Sequence, residues 1–186
     1  MSKPGSFVAD IADIRRRART RLEDGAKTAG YEGDVTTAIA LLNDAVASEI
    51  VCVLRYKFHA IMAQGIHSEG VKKEFEAHAA EEQEHVEWLA QRINQLGGKP
   101  DFNPANLSSR AASQYVEGEN LIDMIKENLI AERIAIDIYR GLVHWFGEKD
   151  PTTRILLEKI LAKEEEHAND MHDLLVAHQG TPMLRH

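Results

Sequence analysis

Four segments of this chain set apolar side chains alternately three and four residues apart, and each of these stripes is broken near its middle by a carboxylate. That spacing marks one buried face of an α-helix. The first stripe is Ile39, Leu42, Val46, Glu49, Val53, Tyr56 and Ala60, and the second is Val71, Phe75, His78, Glu82, His85, Leu89, Ile93 and Leu96. The third runs Leu121, Ile125, Leu129, Glu132, Ile136, Tyr139, Val143 and Phe146, and the fourth Leu157, Ile160, Glu164, His167, Met171 and Leu174. Four such helices sharing one core must bury four carboxylates together. The chain is therefore expected to be all-α, a four-helix bundle with charge inside it.

A buried carboxylate without compensation costs several kcal/mol, and no Lys or Arg occupies a stripe position to neutralise it. Two divalent cations would balance four glutamates, and two neutral imidazoles would complete the ligand set without changing the total. The spacing agrees. Glu82 with His85 and Glu164 with His167 are i, i+3 pairs, so each pair shares one helical face. Glu49 precedes Glu82 by 33 residues and Glu132 precedes Glu164 by 32, so each half supplies a Glu followed by Glu-x-x-His. A single Glu-x-x-His is common on solvated helices; two copies in phase with apolar stripes point to metal. The candidate ligands are Glu49, Glu82, His85, Glu132, Glu164 and His167.

Neighbouring residues carry smaller expectations. Glu81, Glu84, Glu165 and Glu166 fall outward by periodicity, as solvated or supporting groups, and His78 is either an auxiliary ligand or a satisfied core histidine. Trp88, Trp145, Tyr115 and Tyr139 read as packing or subunit-contact residues. His59, His67, His144, His172, His178 and His186 show no partner pattern, and Cys52 reads as a small buried side chain.

The organisation along the chain follows from its punctuation. Residues 1–34 read as an N-terminal extension with a short helix over 7–24, residues 35–178 as the bundle, and 179–186 as a tail. Asp34 is a candidate N-cap for a helix to about Gln64, Gly65 to Gly70 makes a turn, and the second helix covers about 70–96. Gly97, Gly98 and Pro100 end it. A connector of about twenty residues follows, with a helical turn expected near 108–115, before a third helix over 119–146. Asp150 and Pro151 then begin a fourth helix that reaches about Ala177. A helix of 26 residues is roughly 40 Å long and twenty extended residues reach roughly 65 Å, so the long connector can cross the whole bundle.

Charge and composition narrow the class. Residues 1–34 hold seven Lys/Arg against six Asp/Glu, leaving 15 against 24 for the rest of a chain of net charge −8. An acidic body suits metal cations and disfavours broad nucleic-acid binding; only the five arginines from Arg15 to Arg21 could meet phosphate. One cysteine allows neither an internal disulfide nor a multi-thiolate metal site. No run of 18 consecutive apolar residues and no leader-like N-terminus occur, so a cytoplasmic protein without a membrane span is expected.

At the doubled Glu and Glu-x-x-His pattern, over about residues 36–178, the chain resembles the ferritin-like superfamily, and within it the bacterioferritins and Dps-like proteins. The resemblance implies two iron ions per subunit, with manganese as the alternative. Glu82 and Glu164 would bridge them, Glu49 and His85 would complete one site, and Glu132 and His167 the other. Tyr56, seven residues after Glu49, matches a tyrosine beside the bacterioferritin centre and is the candidate catalytic side chain. Gln83 stands where haem-binding relatives carry an axial methionine, so haem is not expected.

The short stretch after residue 178 leaves no room for the fifth helix of bacterioferritins. It suggests a Dps-like shell of twelve subunits, although the cysteine pair usual in Dps-like proteins with this site is missing. The implied activity is Fe(II) oxidation by dioxygen or hydrogen peroxide, with iron storage. The rivals are a di-manganese or di-iron enzyme consuming peroxide, and a Dps-like stress protein touching DNA through its N-terminal tail.

Overall fold

The structure, a computed structural model, describes residues 10–65 and 68–179. Four long helices dominate: α2 (Val35–Met62), α3 (Ser68–Gln95), α5 (Leu121–Phe146) and α6 (Pro151–Gln179). A short α1 (Ile11–Arg17) precedes them and α4 (Leu107–Arg110) lies in the crossover. Local chemistry sets the ends. Asp34, Asn120 and Asp150 cap α2, α5 and α6 by accepting the backbone N–H of Thr37, Asp123 and Thr153 at 3.1, 3.1 and 2.9 Å. Gly97, at φ +82°, turns the chain out of α3, and Gly98 N–H then closes on the Ile93 carbonyl at 2.9 Å. A Cβ on Gly98 would lie 2.7 Å from Ile39, so this turn also packs against the start of α2.

The hairpins α2–α3 and α5–α6 pack together through α2 against α5 and α3 against α6. Tyr56 pairs with Glu132 and Tyr139 with Glu49, so α2 and α5 are antiparallel. Glu81 meets His167 and His78 faces Asp170, so α3 and α6 are antiparallel as well. With α2 also antiparallel to α3, α3 and α5 must run the same way, and the connector between them has to travel the length of the bundle.

That connector is fixed to α2 by a polar row at helical spacing. The Asn43 side chain accepts from Asp101 N–H and donates to the Lys99 carbonyl, at 2.8 and 3.3 Å, and Ser48 Oγ accepts from Ala112 N–H at 2.9 Å. Arg55 Nη1 donates to the Gln114 carbonyl at 2.9 Å, and His59 Nε2 contacts the Val116 carbonyl at 3.0 Å. Its helical pieces are a 3₁₀ turn at Pro104–Asn106 and then α4, earlier than the turn expected near 108–115. Asn103, accepting from Ala105 N–H, starts helix formation there.

The N-terminal helix is shorter than the expected 7–24. Residues 7–9 lie outside the described residues, and α1 stops at Arg17, followed by a 3₁₀ turn at Leu22–Asp24. Ile11 and Ile14 are 53% and 43% exposed, so no buried apolar face lengthens this helix. The segment is tied down further along, where Tyr31 donates to Asp150 at 2.8 Å.

Two apolar clusters fill the bundle. One contains Leu42, Val46, Leu89, Ile93, Phe146 and Ile160; the other contains Tyr56, Val71, Phe75, Ile125 and Met171. Among the described helices, α2 alone is long and apolar enough to cross a membrane by length and composition. Half of that window is buried in the bundle, and the helix also buries Glu49 and Arg55.

Candidate metal centre

Glu49, Glu82, His85, Glu132, Glu164 and His167 are each at most 3% exposed and meet at one level of the bundle. One ligand atom each from Glu49, Glu82, His85 and Glu164 lies within 4.8 Å of the others, and the same holds for Glu82, Glu132, Glu164 and His167. The two groups share Glu82 and Glu164. His85 Nδ1 is 3.1 Å from both Glu82 Oε2 and Glu164 Oε1, while His167 Nδ1 is 3.4 Å from Glu82 Oε1 and 3.9 Å from Glu164 Oε2. Each shared glutamate thus turns one oxygen to each histidine. Glu49 sits with His85 at 3.8 Å and Glu132 with His167 at 4.0 Å.

Hydrogen bonding tests whether these residues suit metal. Among the described residues, seven buried side-chain polar atoms lack a hydrogen bond. Five of them belong here: Glu82 Oε1, Glu132 Oε2, both Glu164 oxygens and His167 Nδ1. Leaving such atoms unpaired costs about 1–3 kcal/mol each, more when charged, so their concentration at one point fits cations that would bind all of them. The donor set of carboxylate oxygen and imidazole nitrogen fits iron, manganese or zinc.

In the metal-free protein, protons do part of this work. Burial, then the Glu82 charge, pushes Glu49 up to about 8, and burial followed by the other carboxylates holds Glu164 well above its usual range. Glu132 is raised, chiefly by burial and then by Glu82. Burial also works against charge on Glu82, but the His167 and His85 imidazoles beside it outweigh that and keep this carboxylate well below its usual range. For the imidazoles, burial opposes charge and the carboxylates win: Glu49 and Glu82 lift His85 to about 10, and Glu82 and Glu132 lift His167 to about 9.

The supporting residues come in crossed pairs. Tyr56 on α2 donates its hydroxyl to Glu132 on α5, and Tyr139 on α5 donates to Glu49 on α2. Tyr139, expected to pack or to contact another subunit, is thus a partner of the centre. A signal for it existed, because Tyr139 follows Glu132 by the same seven residues that separate Tyr56 from Glu49. Glu81 is a support as well: it binds His167 Nε2 at 2.7 Å and approaches Lys163 at 3.5 Å, leaving Nδ1 to face the glutamates.

Other residues find their places nearby. His59, which shows no partner pattern in the sequence, joins Asn128 Nδ2 through Nδ1 at 3.0 Å. Arg55 is buried one position off the stripe, but its guanidinium is taken up by Asn128 Oδ1 at 2.9 Å, the Gln114 carbonyl and Cys52 Sγ. It forms no ion pair with a glutamate of the centre. Cys52 is buried, between Arg55 and Ser113 Oγ, and burial pushes its thiol up. Gln83 is exposed and donates to Glu87 at 3.3 Å.

Comparison with known proteins agrees with this architecture. Residues 39–179 match the family model described as a ferritin-like domain. Over 145 residues the chain is 34% identical to a nutrient stress-induced DNA-binding protein of Synechococcus, covering 75% of this chain and 81% of that one. It is 32% identical to a DNA protection during starvation protein of Pyrococcus furiosus over 145 residues, 76% of this chain and 78% of the other. Among solved structures, a dodecameric thioferritin, the bacterioferritin-related protein of Bacteroides fragilis, superposes with a TM-score of 0.75 at 32% identity, over 82% of this chain and 93% of that one. With a match across the whole bundle and relatives above 30% identity, this chain belongs to the ferritin-like family.

Proposed function

We propose that the chain is a ferroxidase whose substrate is a pair of Fe(II) ions bound by Glu49, Glu82, His85, Glu132, Glu164 and His167, and that it stores the oxidised iron in a shell of identical subunits. The observation that carries this reading is the set of five unpaired buried polar atoms in two ligand groups sharing Glu82 and Glu164. Two ions sharing ligands can give up two electrons together. With two protons, those electrons reduce dioxygen to hydrogen peroxide, or hydrogen peroxide to two waters.

The protein's own contribution is placement. Glu82 and Glu164 hold the pair together, Glu49 with His85 and Glu132 with His167 grip the two ends, and Tyr56 and Tyr139 fix the terminal carboxylates. Carboxylates are hard ligands and favour the Fe(III) product. The bacterioferritin-related and starvation-protection relatives support an iron-handling role, and the dodecameric thioferritin supports a closed shell.

The test is stopped-flow absorbance after anaerobic Fe(II)-loaded protein is mixed with dioxygen or peroxide. The parent is expected to oxidise iron far faster than buffer. Glu132→Ala, which strips one end of the pair, should lose the fast phase, because a single ion cannot deliver two electrons. Parent oxidation at the buffer rate, or a Glu132→Ala trace matching the parent, would refute the proposal. Peroxide breakdown dependent on added Mn(II) would then favour the peroxide-consuming rival.

A further inference from the structure

One cluster of ligating side chains lies beside the centre and meets it at His78, a ring nitrogen of which also lies within 4.8 Å of ligand atoms of Glu132 and His167. Glu74 and His78 are a turn apart on α3, Asp170 faces them from α6, and one ligand atom from each lies within 4.8 Å of the other two. His78 is 3% exposed, whereas Glu74 and Asp170 are partly exposed, so the cluster opens to solvent on one side and reaches the core on the other.

Hydrogen bonding fixes the orientation of the buried imidazole. Tyr56 has one hydroxyl proton and gives it to Glu132. Its oxygen must therefore accept from His78 Nδ1, 3.2 Å away, which places the proton of a neutral His78 on Nδ1 and the lone pair on Nε2.

Among the described residues, Nε2 has no hydrogen-bond partner. It looks toward Asp170 Oδ2 at 3.5 Å and Glu74 Oε1 at 3.9 Å. Three lone-pair donors therefore face one another without a proton between them. Lys163, the nearby ammonium, is engaged with Glu81 and Glu166 instead.

We propose that Glu74, His78 and Asp170 form a separate mononuclear site for a divalent first-row transition ion. One imidazole nitrogen and two carboxylate oxygens suit Fe(II), Mn(II), Co(II) or Zn(II), and the partly exposed carboxylates give the ion a route from solvent. The site is linked to the centre through His78, whose Nδ1 holds the tyrosine that holds Glu132 and whose ring stacks on His167 at a centroid distance of 4.0 Å. An ion on Nε2 polarises the imidazole and strengthens its donation to Tyr56. On the ferroxidase reading, on which this last role rests, the ion is Fe(II) staged one helical turn from the pair.

Equilibrium dialysis of the whole metal-stripped protein against Co(II), with bound ions counted per chain, tests the site. The parent should bind a tight pair and a weaker third ion. The double variant Glu74→Gln/Asp170→Asn should keep the pair and bind the third ion more than about tenfold more weakly. Both substitutions are at partly exposed positions and leave shape almost unchanged. Glu82→Ala should disrupt the pair and retain the third ion. A parent that binds only the pair, or a third ion unaffected by Glu74→Gln/Asp170→Asn, overturns the proposal. If the tight pair is missing while a single ion still depends on Glu74 and Asp170, the dinuclear reading fails and this site stands.

Discussion

Tyr56 and Tyr139 each hand their only proton to a carboxylate on the opposite hairpin, so the two ends of the centre are held by equivalent contacts. Tyr56→Phe and Tyr139→Phe should therefore each weaken metal binding or slow iron oxidation by about ten- to a hundredfold, the usual effect of losing a ligand's supporting hydrogen bond. Ion stoichiometry should be unchanged. A Tyr139→Phe protein matching the parent in stopped-flow, beside a slow Tyr56→Phe, would show that only one tyrosine matters. Protonation makes a second expectation at this scale. Glu49 is raised to about 8, so its protonated form stabilises the metal-free fold fully below the unfolded value of 4.5 and loses that contribution as pH rises through about 8. His85 and His167 follow the same sign, giving full stabilisation below 6.5 and losing it through about 10 and 9. The Tm of metal-free protein should fall between pH 7 and 9, and Zn(II), which replaces the protons, should flatten that fall; an unchanged metal-free Tm would count against these shifts. That the six candidate ligands turn into one core was legible, because charge inside an apolar stripe has few physical explanations. The partners of Tyr139 and Glu81 were less so, since periodicity says which residues turn inward and nothing about a partner on another helix, 90 and 86 residues away; the seven-residue step from Glu132 to Tyr139 was the one signal.

At the ends of the helices, capping residues do unequal work. Asp34 caps α2 at an exposed position. Asp150, 2% exposed, caps α6 and also accepts from Arg92 Nη2 at 3.0 Å and from Tyr31, joining α3, α6 and the N-terminal segment. Asp34→Ala should cost about 1 kcal/mol, whereas Asp150→Ala, which strands a buried guanidinium, should cost about 3–5 kcal/mol. Urea unfolding of both variants measures the contrast, and equal losses would show that the Arg92 contact contributes nothing beyond the cap. Most long-helix ends could be read within a few residues, because Asp34, Gly97, Gly98, Asp150 and Pro151 are strong local signals. The crossover was less legible. Its course is set by Asn43, Ser48, Arg55 and His59, polar residues whose acceptors are backbone groups of a segment with little periodicity of its own.

On the molecule as a whole, several large apolar side chains remain outside the core. Leu54, Ile130, Ile138 and Trp145 on α2 and α5 are 50%, 50%, 40% and 41% exposed, and Ile61 near the end of α2 is 76% exposed. Single exposed apolar residues need no explanation, but several along two adjacent helices mark a surface that a partner covers. In a closed assembly of identical chains that partner is another subunit. On the proposed function the shell is one of twelve chains, the number of the dodecameric thioferritin that is similar over 82% of this chain. The expectation of a missing fifth helix concerns residues beyond 179, outside those described, so it adds nothing here. Light scattering on purified protein should thus give the mass of twelve chains of 20.8 kDa. Replacing Ile138 and Trp145 together by Asp should break the assembly into smaller species while leaving α-helical content and, on the proposed function, the two bound ions of each chain in place, since neither residue is among the six candidate ligands. Fe(II) oxidation should then persist and iron retention should fail, because storage needs the enclosed cavity and the chemistry needs only one bundle. A mass of twenty-four chains would contradict the dodecamer. A parent that is monomeric and still retains its oxidised iron would separate storage from the shell altogether.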